Sequence, residues 1–162
     1  MSQKASICRL KNKIGPWIDT GEVMDLTAVT TPPTKGTAVI DKVWYRRIGD
    51  SANIRWTLEQ TAPGVAGSGD YIVGLPAGFV IDTSKFHAST YRNTSVCGMW
   101  GKTLGLGAAD ATGIVWARTS KSLSCFGLNA SSIAIWSSGF APMTQSSSQH
   151  TLEVTLPILG WG

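Results

Sequence analysis

Ionic side chains are scarce in this 162-residue chain: Asp, Glu, Lys and Arg make up 15% of it, against about 25% in an ordinary globular domain. So little charge leaves a large neutral surface, so part of the surface is expected to be covered in the working form and the protein to be an oligomer. The 10 acidic residues stand mostly alone in turns, so the close carboxylate pair that glycan cleavage needs is not legible. Histidine occurs only as His87 and His150. No GxSxG elbow accompanies them, and Gly67-Ser68-Gly69 reads as a flexible turn. Enzymatic activity is therefore not expected. Cysteine is limited to Cys8, Cys97 and Cys125, with no CxxC pair and no Cys/His cluster, so neither a zinc site nor any other cofactor is expected. Free thiols are the plain reading, with Cys97 and Cys125 as small buried hydrophobes, and a single Cys97–Cys125 bridge stays open.

Long apolar runs are also missing. None spans a bilayer, and Met1-Ser2-Gln3-Lys4 lacks the core of a signal peptide. A chain made in a cytoplasm and not inserted in a membrane is the expectation. The formal charge of +4 is spread out, apart from Lys4, Arg9, Lys11 and Lys13 near the start and the Arg46-Arg47 pair. A nucleic-acid binder concentrates its basic residues in a patch or stripe, so nucleic acid is not an expected partner.

What is plentiful is glycine, with 18 residues, and tryptophan, with 7. The chain is organised around Asp41 to Asp82. Val43-Trp44-Tyr45 runs into Arg46-Arg47-Ile48, and Gly49-Asp50-Ser51 makes a turn. From Asn53 the chain alternates, with Ile54, Trp56 and Leu58 on one side and Asn53, Arg55, Thr57 and Glu59 on the other. Period-two alternation marks a strand with one dry and one wet face, and two such runs across a Gly/Asp/Ser break predict a β-hairpin. A Gly-rich loop from Pro63 to Gly69 leads to a third run, Tyr71-Ile72-Val73. Further strands are predicted around Ile14–Met24, Ser95–Leu104 (broken by Gly98 and Gly101), Ile114–Thr119, Ser122–Leu128, Ser131–Trp136 and Leu152–Ile158. About eight to ten short strands with frequent turn signals predict an all-β antiparallel sandwich or jelly roll. Residues 1–25 read as an N-terminal arm and residues 26–162 as the knob domain.

Three stretches in order carry a resemblance: Trp44 to Asp50, Leu75 to Asp82, and Pro157 to Trp161. A Trp-x-Arg-Arg-Ile-Gly-Asp hairpin, a Leu-Pro-x-Gly-x-x-Ile-Asp turn and a closing Pro-Ile-x-Gly-Trp strand end resemble the C-terminal knob domains of phage tail fibres and related virion proteins. The likeness runs from about Trp17 to Trp161, with a poor match over Ser84 to Gln149. It implies a jelly roll like that of the tumour-necrosis-factor family, assembled as a homotrimer, non-enzymatic and displayed on a virion surface. Its partners would be other virion proteins and host cell-surface glycan. Only a short arm precedes the domain here, which implies a small knob held to the particle by residues 1 to about 25. A capsid decoration role with no host ligand is the alternative.

For ligand contact the expected residues are the aromatic and cationic tips of loops, His87, Tyr91, Arg92 and Trp100, together with Arg46 and Arg55 on the hairpin. Guanidinium forks suit an acidic glycan or a lipopolysaccharide phosphate. The competing reading pairs Arg46, Arg47 and Arg55 with Asp41, Asp50 or Glu59 across the sheet. Trp56 is expected in the core, whereas Trp44 is open between core and sugar stacking. Ile7, Leu10, Ile14 and Trp17 are the expected anchors of the docking arm.

Overall fold

The computed structural model describes residues 14–86, 96–104, 111–129, 132–135 and 148–161. Among them are ten strands: β1 (Ile18–Asp19), β2 (Leu26–Ala28), β3 (Ala38–Ile48), β4 (Ser51–Gln60), β5 (Tyr71–Gly74), β6 (Val96–Leu104), β7 (Ala111–Thr119), β8 (Ser122–Asn129), β9 (Ser132–Ile135) and β10 (Ser148–Pro157). The one helical turn among the described residues is a 3-10 turn at Thr83–Lys85, capped by the Asp82 carboxylate on the Ser84 N–H.

All pairings are antiparallel and form one sheet, in the order β1-β3-β4-β10-β6-β7-β8-β5-β2, with β9 beside β8. The all-β antiparallel expectation holds, but the hydrogen bonds run through one sheet rather than two stacked ones. The reason is β10, which pairs along one edge with β4 from Ser148 to Pro157 and along the other with β6 from Ser148 to Val154. The closing strand thus welds the early hairpin to the later meander. Pro157 falls past the end of the β6 pairing, where a missing N–H does least harm.

Chain connectivity forces the sheet to curl. Strands β1 and β2 lie at opposite ends of the strand order, yet only Thr20 to Asp25 separates them. Six residues span at most about 20 Å, whereas nine flat strands at ~4.8 Å spacing would put the ends on the order of 40 Å apart. The sheet therefore rolls into a half-barrel that this strap bridges. At one end Thr20 N–H donates to Val43 O (3.0 Å) and Met24 N–H to Asp41 Oδ1 (2.8 Å); at the other Gly74 N–H donates to Asp25 O (2.9 Å). Ile14 bridges Ile48, and Met24 sits in the core. So residues 14–25, expected as part of an arm, are laid along the sheet. The strand expected over Ile14–Met24 shrinks to two residues: before it Ile14 makes only an isolated bridge to Ile48, and after it the segment is the strap.

The inner face follows the alternation read from the sequence. Ile54, Trp56 and Leu58 on β4 are buried with Leu152, Val154 and Leu156 on β10 and Val43 on β3. Burying each such side chain is worth about 1.5–3 kcal/mol. Asn53 departs from its expected wet position: it is buried, and its Nδ2 donates to Val154 O (3.0 Å) and Thr155 Oγ1 (3.2 Å). On β6 the expected break at Gly98 is a register shift between Val96 and Gly98 inside a continuous strand. A Cβ on Gly98 would lie 2.0 Å from Glu153 O, so glycine lets β10 come close rather than ending the strand. The Gly-rich loop behaves alike: Thr34 and Val65 exchange both backbone hydrogen bonds at 2.9 Å, and a Cβ on Gly64 would sit 2.0 Å from Thr34 O.

Cys97 and Cys125 are free thiols. They lie on β6 and β8 with β7 between, and two strand spacings come to roughly 10 Å, beyond the ~4.4–6.8 Å between Cα atoms that a disulfide spans. Burial pushes the Cys97 thiol up to about 12 and the Cys125 thiol well above its ordinary value, so both are protonated and inert at neutral pH.

The three stretches that carry the resemblance meet at one end of the half-barrel. Arg47 Nη2 donates to Trp161 O (2.6 Å), and its guanidinium lies 4.9 Å from the Trp161 ring centre. Phe79 packs on Tyr45 (4.9 Å) and on Trp161 (5.6 Å). Asp82 N–H donates to Pro157 O, Leu159 N–H to Val80 O and Ile158 N–H to Asp50 O. Lys85 Nζ reaches Asp50 at 2.6 Å. Hairpin turn, Leu-Pro-Ala-Gly turn and closing strand thus form a clasp, and the clasp explains why these stretches need one another.

Candidate binding site on the outer face of the sheet

Alternation sends every second residue of β3 and β4 to the outer face. The register sets Trp44, Arg55, Glu153 and Met99 side by side across β3, β4, β10 and β6. On adjoining rows Arg46 faces Asn53, and Lys42 faces Thr57. Arg55 Nε and Nη2 both donate to Glu153 Oε2, at 3.0 and 2.7 Å, which holds the guanidinium in place. Trp17, on the segment leading into β1, lies over this face. The guanidinium carbons of Arg46 and Arg55 are 4.6 and 4.7 Å from its ring centre. Contacts of that kind contribute about 0.5–1 kcal/mol at exposed sites. Lys42 Nζ is 5.8 Å from the Trp44 ring centre and pairs with Asp19 at 2.8 Å. That hydrogen bond, with a second from the Gly21 N–H, holds the Asp19 carboxyl below its ordinary value.

Between the two tryptophans runs an open groove of about 280 Å³, lined by Trp17, Trp44, Arg55 and Thr57. Its size falls just below the ~300–1,000 Å³ of ligand pockets, suited to one ring rather than an extended molecule. Three cations, Lys42, Arg46 and Arg55, face two carboxylates, Asp19 and Glu153. Lys42–Asp19 and Arg55–Glu153 cancel. Arg46 is left over: its one hydrogen-bond partner among the described residues is Asn53 Oδ1, which accepts from Nε at 3.0 Å.

The fold thus brings together Arg46 and Arg55 as a unit and adds Trp44 and Trp17. The pairings expected for the arginines are replaced. Asp41 is taken by Lys35, Asp50 by Lys85, and Arg55 chooses Glu153 over Glu59. Glu153 lies directly across the ladder from Arg55, whereas Glu59 is four residues along the same strand. Trp100 is a correction: at 3% exposure it lies on the inner side of β6, opposite Leu152, and offers no ring face to solvent. Its strand runs on through Gly98 and Gly101, so it is not a loop tip. Trp17 was expected as an anchor of the arm; nothing in its local sequence signals two arginines beneath it, because both come from the hairpin. Ile14 is 58% exposed beside Ile48. His87, Tyr91, Arg92, Ile7 and Leu10 lie outside the described residues.

A second outer region, on β6 and β7, has another character. Val96 and Met99 are 55% and 62% exposed, and in register with them are the half-buried Trp116 and Ile114. Among the described residues no group of three or more His, Cys, Asp or Glu is placed to hold a metal ion, and no helix is long and apolar enough to cross a membrane. No protein-family model, curated protein or solved structure matches this chain.

Proposed function

We propose that this chain is a non-enzymatic structural protein of a bacteriophage virion, a surface knob of the tumour-necrosis-factor-like jelly-roll type that works as a homotrimer and contacts host surface glycan. The observation that carries the glycan contact is the Trp17–Trp44 groove floored by Arg55 and Thr57. A pyranose ring has apolar C–H faces that stack on indole and a polar rim that takes hydrogen bonds from guanidinium and hydroxyl groups. The groove presents both kinds of partner on a rigid sheet. The trimer reading is supported by the exposed Val96 and Met99 next to Ile114 and Trp116 in a chain of such low charge. An obligate interface buries ~2,000 Å² or more, and three copies of one weak site raise apparent affinity by roughly 10²–10⁴.

Two measurements test the reading. Sedimentation equilibrium should return a trimer, and a stable single protomer at micromolar concentration would remove it. A glycan array probed with the isolated protein should give binding that disappears in Trp44→Ala; silence across host polysaccharides rejects the glycan contact. A second reading, capsid decoration without a host ligand, is favoured by the exposed Ile14, Ile18 and Val23 on the segment that follows residues 1–13. Deleting residues 1–13 and measuring incorporation into particles tests it, because unchanged incorporation leaves the arm no docking role.

A further inference from the structure

Resting on the glycan-contact reading, we propose that the groove takes an anionic sugar, one carrying a carboxylate or a phosphate, and that Arg46 reads the charge while the sugar ring stacks at Trp44. The two arginines on this face are not equivalent. Arg55 spends Nε and Nη2 on Glu153, so its charge is answered within the sheet. Arg46 spends only Nε, on Asn53 Oδ1. Asn53 is itself fixed by its Nδ2 hydrogen bonds to Val154 O and Thr155 Oγ1. The guanidinium is therefore tied at its inner edge and stacked against Trp17, while both terminal nitrogens have no acceptor among the described residues. Guanidinium carries five donors; four of them remain, in the planar fork that matches a carboxylate or phosphate. Little rotamer freedom is left to lose on binding, which favours affinity. Arg46 and Trp44 are two residues apart on β3 and so share the outer face. An acidic substituent on a ring held at Trp44 is thus next to the one cation of this cluster that has no carboxylate partner among the described residues.

The same geometry explains why a neutral sugar is the poorer ligand. It can stack and offer single hydroxyl acceptors to the fork, but it brings neither the opposite charge nor the paired oxygens of a carboxylate or phosphate. Losing one such pair typically weakens binding by about 10- to 100-fold.

The test uses the full chain and calorimetric titration with oligosaccharides matched in length. The probes are an oligogalacturonate, its methyl ester, and a hexose-phosphate oligomer. The acid or the phosphate should bind about 10- to 100-fold more tightly than the ester; which of the two leads separates the sources of the anion. Arg46→Gln should bring the acidic probes to within about twofold of the ester, and Trp44→Ala should weaken all of them. Arg46→Lys keeps the charge without the fork, so it should retain a reduced preference; it stands in if the glutamine variant melts early. Equal binding of acid and ester, or a preference untouched in both Arg46 variants, overturns the inference and leaves the glycan reading intact. No binding of any probe, acidic or neutral, overturns both.

Discussion

The β3–β4–β10 half and the β6–β7–β8 half of the sheet share one inner face and differ on the outer one. Inside, both supply tightly buried hydrophobes: Val43, Trp56 and Leu152 from the first, Trp100, Val115 and Leu123 from the second. Outside, the first half carries Trp44, Arg46, Arg55 and Glu153, and the second exposes Val96 and Met99. A curled sheet explains the difference. The inner face must fill one core, so both halves answer to the same packing demand. The outer face has no common core to fill, so the outer chemistry of the two halves can differ.

If the core is shared, removing a large side chain from either half should cost the same. Trp56→Ala and Trp100→Ala are each expected to lose about 3–5 kcal/mol of unfolding free energy, read by denaturant titration. A Trp100 variant as stable as the parent would break the comparison, and would put Trp100 back among the surface residues. The seam between the halves is the next most sensitive place. Gly98→Ala presses a methyl group against Glu153 O and the Val154 Cα, at 2.0 and 2.7 Å. The expected loss is about 1–3 kcal/mol, with amide exchange rising on β6 and β10 ahead of β3 and β4.

Much of the inner face was legible and little of the outer site was. Alternation identifies Ile54, Trp56 and Leu58 as core because strand period and burial are the same signal. It cannot say that β10 joins two halves of a sheet, because that pairing links residues about a hundred positions apart, such as Asn53 with Val154. Alternation fits a sandwich, a jelly roll and one curled sheet equally well, so the single continuous hydrogen-bonded sheet was not legible. The site suffers from the same distance. Arg46 and Arg55 stand in one hairpin and could be grouped by reading, whereas Trp17 reaches them only because β1 pairs with β3, Ile18 beside Tyr45. Trp100 misled for a local reason: Gly98 and Gly101 look like strand breakers, yet Gly98 is there for close approach.

Ionic contacts on the outer face should matter less to stability than to binding. Glu153→Gln removes the partner of a half-exposed Arg55, and exposed pairs contribute only about 0.2–1 kcal/mol. Thermal melting should move slightly, while affinity for an acidic oligosaccharide should rise, since Arg55 would then be a second uncompensated cation beside the groove. A fall in that affinity would mean that Glu153 serves the site by holding Arg55 rather than by cancelling it.

The smallest expected effect belongs to the clasp, where pH can separate charge from packing. The Lys85 ammonium, hydrogen-bonded to Asp50, is the first cause holding that carboxyl below its ordinary value of 3.8; for Asp82 the Ser84 hydroxyl comes first and Lys85 adds to it. A carboxyl depressed in the folded state contributes stability above its unfolded value and loses that contribution as pH falls through the folded value. The contribution from Lys85 should therefore be present at pH 6 and fade below about 3.8. Lys85→Met deletes most of it for Asp50 and little for Asp82. Melting temperatures of parent and variant should differ slightly at pH 6 and converge as pH falls through the folded-state value of Asp50, because that carboxylate is then protonated in both. A gap that stays constant across that range would mean that Lys85 holds the clasp through its aliphatic stem rather than its charge.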